Sequence, residues 1–171
     1  GKKNSPYNEK DTTKPLSIYG KSKLEGENKI CETLIKYYIF RVSWLFSNEN
    51  NNFILKILSS YQSKNNLKVV FDQIGQPLYT IELSKIIWKI IEVSKMKKNY
   101  GIYHISGKGE ASSRFEIAYL ISKYLQQNKF HFPNIIPIKS CEYKNFAKRP
   151  FNSTFDTSKI YNVFNPNQID W

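Results

Sequence analysis

Pro15-Leu16-Ser17-Ile18-Tyr19-Gly20-Lys21-Ser22-Lys23-Leu24-Glu25-Gly26-Glu27 is the stretch on which the reading of this chain turns. It follows a polar turn, Asp11-Thr12-Thr13-Lys14, and opens a helical segment from about Ser17 to Lys36. Glu25 with Lys29, and Glu32 with Lys36, have the i,i+4 spacing of ion pairs on a solvent face. Gly26 lies on the stripe 19, 23, 26, 30, where a missing side chain lets a helix approach a neighbour closely. Immediately downstream, Tyr37-Tyr38-Ile39-Phe40-Arg41-Val42 is a short apolar run rich in strand formers.

The same alternation continues along the chain. Phe53, Ile54, Ile57, Leu58 and Tyr61 recur at helical period, and Lys68 to Phe71 is a short strand. Leu83, Ile86, Ile87, Ile90 and Ile91 make a third helix with Thr80 as its expected N-cap. Gly101 to Ile105 is a strand. Ser113-x-x-Glu116 is a capping box ahead of a fourth helix carrying Phe115, Ala118, Ile121 and Leu125. After Pro133 the chain is punctuated by Pro and Asn, and only short extended pieces are expected. Alternating strands and helices imply an α/β fold with parallel strands.

The 171 residues suffice for one ordinary domain, and 40% hydrophobic content with 26 aromatic residues excludes a disordered chain. No apolar run approaches the roughly 18 residues of a membrane span, so a transmembrane helix and a membrane partner are excluded. The net charge of +12 raises the question of nucleic acid. The basic residues, however, are 23 Lys spread along the chain and only Arg41, Arg114 and Arg149. A diffuse basic surface, with no nucleic-acid partner, is the expectation. Cys31 and Cys141 are far apart, and neither they nor His104 and His131 have metal-ligand spacing. The expectation is therefore reduced thiols, no metal and a cytoplasmic location.

The chemistry lies in Tyr19-x-x-x-Lys23. Positions i and i+4 share a helix face, so a phenol and an ammonium come within reach of one another. A free phenol ionises near ~10, too high for proton transfer at neutral pH, and an adjacent cation favours the ionised form. Such a pair can hand a proton to a carbonyl oxygen as hydride arrives at its carbon.

Pro15-x-x-x-Tyr19-Gly20-x-Ser22-Lys23-Leu24-x-Gly26-Glu27 resembles the active-site helix of extended short-chain dehydrogenases/reductases. Further segments follow in order: Arg41-Val42-Ser43-Trp44, Asn52-Phe53, Asp72-Gln73-Ile74-Gly75-Gln76-Pro77, Gly101-Ile102-Tyr103-His104, Phe115-Glu116-Ile117-Ala118 and Ala147-Lys148-Arg149-Pro150-x-Asn152-Ser153. With Pro6-Tyr7-x-Glu9-x-Asp11 at the front, they resemble the dTDP-4-dehydrorhamnose reductase family over essentially the whole chain. Asp-Gln-x-Gly-x-Pro and Arg-Pro-x-Asn-Ser are the more specific pieces. Leu78 stands where the family more often has Thr.

The resemblance implies the C-terminal portion of a Rossmann-type extended reductase with a smaller substrate-binding region. Residues 1–43 and about 79–116 would be cofactor-domain elements, and about 44–78 and 117–171 the substrate side. It implies Tyr19 as general acid and Lys23 as the residue that tunes it and holds the nicotinamide ribose. Trp44 would lie beside the hexose ring, with Gln73 and Arg149 on the substrate side. An arginine fork suits a diphosphate, whose oxygens it binds bidentately. The implied cofactor is NADPH or NADH, and the implied substrate a dTDP-linked 4-keto-deoxyhexose. The resemblance leaves room for a homodimer of the full-length protein.

A dinucleotide fold binds pyrophosphate at a glycine-rich turn after its first strand. No such turn lies among these residues; Gly107-x-Gly109 lacks the third glycine and falls far past the helix. The Ser or Thr expected upstream of Tyr19 is absent as well. The expectation is a fragment, inactive by itself. Two alternatives stay open: a non-catalytic regulatory or binding subunit related to the reductase, and another epimerase or dehydratase of the same superfamily.

Overall fold

The computed structural model describes residues 2–49, 51–63, 65–96, 98–143 and 147–166. The fold is α/β, as expected. Ser17 is extended, and its hydroxyl accepts the Gly20 N–H at 3.1 Å, which starts helix α1 over Ile18–Thr33. Strand β1, Tyr38–Val42, follows, and a two-residue strand β2 covers Leu45–Phe46. Asn52 caps helix α2, Phe53–Ser59, which tightens into a 3₁₀ turn over Ser60–Gln62. Strand β3 spans Leu67–Val70, and β4 (Ile74–Gly75) and β5 (Leu78–Tyr79) are two residues each.

Helix α3 runs over Thr80–Ser94. Thr80, the expected cap, is instead its first helical residue; Tyr79 holds the cap position without a side-chain bond. Strand β6 occupies Gly101–Ile105, and β7 is Ser112–Ser113. The capping box forms as read: Glu116 N–H donates to Ser113 Oγ at 3.1 Å, and Ser113 N–H to Glu116 Oε2 at 2.6 Å. Helix α4 then covers Arg114–Gln127 and strand β8 Ile135–Ile138. A last helix, α5 over Ser158–Phe164, lies in the tail where only extended pieces were expected.

β1 pairs in parallel with β6 from Tyr38 opposite Gly101 to Val42 opposite Ile105. β3 pairs in parallel with β8, and β2 with β5, while β4 meets β7 antiparallel. Parallel pairs need a crossover, and α3 is on the path between β1 and β6.

Two apolar clusters result. Ile86 and Ile90 of α3, Tyr103 and Ile105 of β6, and Ile160 and Phe164 of α5 meet around Leu78. Ile57 of α2, Val69 of β3, Ala118 of α4 and Phe132 form the second. A buried Ile or Phe contributes about 1.5–3 kcal/mol, so each cluster holds its layer firmly. α5 falls within the 117–171 stretch that the resemblance gives to the substrate side, yet it packs into the first cluster. Leu78, the departure from the family pattern, is buried in that cluster.

α1 is held differently, since it buries no residue. Ile18, Ile30 and Leu34 are exposed, and the space beside Gly26 contains nothing within 4 Å. The close approach expected at Gly26 is thus not made by any described residue. Lys29 pairs with Glu32 at 3.3 Å, and not with Glu25 as the i,i+4 spacing had led one to expect. The edge of β1 away from β6 pairs with no strand among the described residues.

Candidate active site

Tyr19 and Lys23 sit one turn apart on α1, with Lys23 Nζ 5.5 Å from the centroid of the Tyr19 ring. Both are exposed, Tyr19 at 72%. Neither makes a side-chain hydrogen bond or ion pair among the described residues. Glu27 continues the same i,i+4 ridge, and its carboxylate receives Arg41 Nε at 2.9 and 3.0 Å. Arg41 belongs to β1, so this ion pair orients the Tyr19–Lys23 face against the strand whose end leads to Ser43 and Trp44. Sites in open α/β sheets lie at the carboxyl ends of strands.

Trp44 has φ +44°, a left-handed conformation that a bulky residue adopts only when its surroundings impose it. Those surroundings are visible. Ser43 Oγ donates to the Ser153 carbonyl at 3.0 Å, and the Leu78 N–H donates to the Trp44 carbonyl at 3.2 Å. The indole lies over Gly75, where an added Cβ would come within 2.5 Å of Cε2. The Arg114 guanidinium lies over the indole, 4.4 Å from the ring centroid, and 4.9 Å from that of Phe53. A cavity of about 60 Å³ opens between Trp44, Phe46, Phe53, Pro77 and Arg114.

The two specific motifs are joined through their backbones. Ile74 N–H donates to the Phe151 carbonyl at 2.7 Å, and Ser153 N–H to the Ile74 carbonyl at 2.9 Å. Several of their side chains are held in hydrogen bonds within the fold. Asp72 accepts Ser140 N–H and Oγ, and Gln76 Oε1 accepts Ser106 Oγ and Phe155 N–H. Asn152 donates to the Lys3 carbonyl at 2.7 Å. Gln73 is the exception: it is buried at 9% exposure, and its amide makes no hydrogen bond among the described residues. Arg149 is exposed, and its charge, together with burial as the larger cause, lowers Arg114 to about 10.

The expected residues therefore fall into two groups. Tyr19 and Lys23 stand on α1; Trp44, Gln73 and Arg149 lie on segments tied together around β4. No hydrogen bond, ion pair or ring contact joins the two groups among the described residues. Arg114 was not among the residues singled out. The signal was its residue type: in a chain with 23 lysines, an arginine is an unusual choice, made where a planar, stacking cation is required.

All 171 residues match the family model described as the RmlD substrate binding domain. The chain belongs to the RmlD substrate-binding-domain family. Among RmlD relatives, the dTDP-4-dehydrorhamnose reductase of Aggregatibacter actinomycetemcomitans is 37% identical over 100% of this chain and 59% of its own length. The structure of a dTDP-4-dehydrorhamnose reductase from Clostridium acetobutylicum superposes with a TM-score of 0.86 at 32% identity, over 100% of this chain and 57% of the other. One from Bacillus anthracis, solved in complex with NADP, gives 0.84 at 33% identity, over 96% and 55%. The chain thus spans somewhat under three fifths of the length of these RmlD relatives. No helix among the described residues is long and apolar enough to cross a membrane.

Proposed function

We propose that these residues supply the proton-donating helix and the substrate-facing side of a reductase that converts dTDP-4-dehydro-L-rhamnose to dTDP-L-rhamnose. The observation that carries this reading is the exposed Tyr19–Lys23 pair, oriented by Glu27 on Arg41. A phenol standing free of protein partners can meet a ketone oxygen, and an unpaired ammonium beside it can offset charge that develops there.

In this reading Tyr19 delivers the proton to the C4 oxygen of the keto-sugar. Lys23 has donors free for a ribose hydroxyl, so the pair fits the ribose end of a nicotinamide cofactor, NADPH or NADH. That cofactor, when bound, supplies the hydride. Trp44 offers an aromatic face to the apolar side of the hexose, and the unpaired Gln73 amide a polar contact. Arg149 is free to take a phosphate of the dTDP group. Residues 1–43 and about 79–116 belong to the cofactor side, and about 44–78 and 117–171 to the substrate side, α5 excepted. The setting is cytoplasmic. The 171 residues hold no glycine-rich dinucleotide turn, so they are not expected to turn over substrate unaided.

The test is Tyr19→Phe in a protein that also carries a dinucleotide-binding half. Turnover should fall by about 10²–10⁴ while sugar-nucleotide affinity stays within about twofold. Near-normal turnover in steady-state kinetics would remove Tyr19 from the mechanism.

A further inference from the structure

His104 is the buried titratable group that the roles above leave unused. It stands on β6, 2% exposed, where four segments meet. Its backbone N–H donates to Glu9 Oε1 at 2.9 Å, and the Phe155 ring stacks on the imidazole with centroids 4.2 Å apart. Nδ1 lies 2.9 Å from the Tyr7 carbonyl, which also accepts the Asp156 N–H at 2.8 Å. A carbonyl oxygen only accepts, so the neutral ring carries its proton on Nδ1 and its lone pair on Nε2. That lone pair faces Arg41 Nη1 at 3.5 Å. The other two nitrogens of Arg41, Nε and Nη2, are the ones that hold Glu27 of α1. A guanidinium is planar and rigid, so Nη1 cannot move without shifting Nε and Nη2.

We propose that His104 is a positioning residue for the Tyr19–Lys23 face: its neutral ring sets the Arg41 guanidinium that docks α1, and protonation of the ring releases the helix. The second proton goes to Nε2, where an N–H then opposes the Nη1–H and two cations meet. Arg41 turns away, the Glu27 bond weakens, and α1, which buries no side chain of its own, loosens first. The Tyr7 bond survives, because Nδ1 donates in both forms of the ring. Arg41 on β1 opposes the second proton, while Glu9 of the first segment and Glu27 of α1 favour it. Asp11, paired with Lys3, and Asp156 in the tail also feel the charge of the ring. Burial is the largest influence and lowers the pKa from 6.5, so the docked form is the one present at neutral pH. The release of α1 follows from this geometry alone; its effect on turnover rests on the proposed role of Tyr19 and Lys23.

The experiment begins with the 171-residue chain. Proton NMR follows the ring itself, since the chain has two histidines and His104→Gln assigns the Cε1–H signal of His104. Hydrogen exchange is read about one pH unit on either side of that midpoint, as protection of α1 relative to α4, whose amides report global opening. On the acid side α1 should lose at least about tenfold more protection than α4, while the Tyr7 amide, bonded to Thr154, follows α4. Gln places an oxygen near the position of Nε2 and does not titrate, so His104→Gln should keep α1 docked at both pH values. Asn is too short to reach Arg41, so His104→Asn should leave α1 loose at both. If either variant does not fold, the wild-type comparison carries the test. In a protein that also has a dinucleotide-binding half, kcat should fall on the acid side with the His104 midpoint and KM should stay within about twofold, and His104→Gln should remove that limb.

α1 protection that merely tracks α4 through the titration would overturn the positioning role. So would a ring that stays neutral until the chain unfolds, or a folded His104→Asn chain whose α1 exchanges as the wild type does. If α1 loosens as expected while kcat does not follow, the docking device stands and the catalytic reading of α1 falls.

Discussion

Arg41 binds the Glu27 carboxylate through two of its nitrogens, Nε at 2.9 and 3.0 Å from the two oxygens and Nη2 at 2.5 Å from Oε2. Both side chains are largely withdrawn from water. Because α1 buries no side chain of its own, this ion pair is its principal anchor to the sheet. It is also what holds the Tyr19–Lys23 face in a fixed relation to β1.

Glu27→Gln removes that anchor and leaves Arg41 unpaired, 3.5 Å from His104 Nε2. Breaking a buried pair costs about 3–5 kcal/mol, and the residual solvent access here reduces that to about 2–3 kcal/mol. The loss should be local. Hydrogen exchange should accelerate across residues 18–33 while the β6 amides stay protected. Uniform acceleration across both would show that α1 is held by something else.

Gly75→Ala places a Cβ 2.5 Å from Trp44 Cε2 and 2.7 Å from Cδ2. The indole cannot yield easily, since its backbone is already in the left-handed region and the Arg114 guanidinium lies 4.4 Å from its centroid. Overpacking of this kind costs about 1–3 kcal/mol. The expected result is a lower melting temperature with a changed near-ultraviolet circular dichroism signal from the displaced tryptophan. An unchanged spectrum would mean that the ring does not rest on Gly75.

His104 makes stability depend on pH near neutrality. Burial is the main influence and lowers its pKa from 6.5; Arg41 acts in the same direction, while the Tyr7 carbonyl, Glu9 and Glu27 oppose it. A histidine with a lowered folded pKa binds fewer protons folded than unfolded. Stability is therefore complete above about 6.5 and falls as pH drops from there through the folded value. Asp11, lowered chiefly by its bond to Lys3, and Asp156, lowered by Ser158, act in a separate window below the ordinary 3.8. Urea denaturation at pH 7.5, 6.5 and 5.5 should show a decline that His104→Gln flattens.

What could be read in advance was what is local. The Ser113–Glu116 box closes within four residues, and Gly101–Ile105 is a strand by composition alone, so both formed where expected. Thr80 misled because a hydroxyl before an apolar period looks like a cap whether or not its backbone has already turned helical. α5 was hidden because seven residues carry too little periodicity; Ile160 and Phe164 hold it through partners far back in the chain, from Tyr38 on β1 to Ile105 on β6. The Tyr19–Lys23 spacing was legible for the same local reason as the box. Arg114 was not, because its stack depends on Trp44 and Phe53, which only the fold brings to it.

Asn152 reaches back across 149 positions to the Lys3 carbonyl, and its neighbour Phe155 bridges to Tyr7. During synthesis at roughly 5–20 residues per second, Lys3 leaves the ribosome's active centre roughly 8–30 s before Asn152 is made. Throughout that interval Tyr7 has neither Phe155 nor Thr154 to meet, and the early segment has only half its seat, the bonds of His104 on β6 to Glu9 and the Tyr7 carbonyl. Its docking is consequently a closing event in the maturation of the chain. A ribosome stalled short of residue 152 would carry a nascent chain in which the stretch from Lys3 to Asp11 is half seated, and so more open to proteases and chaperones than α1, α3 and β6.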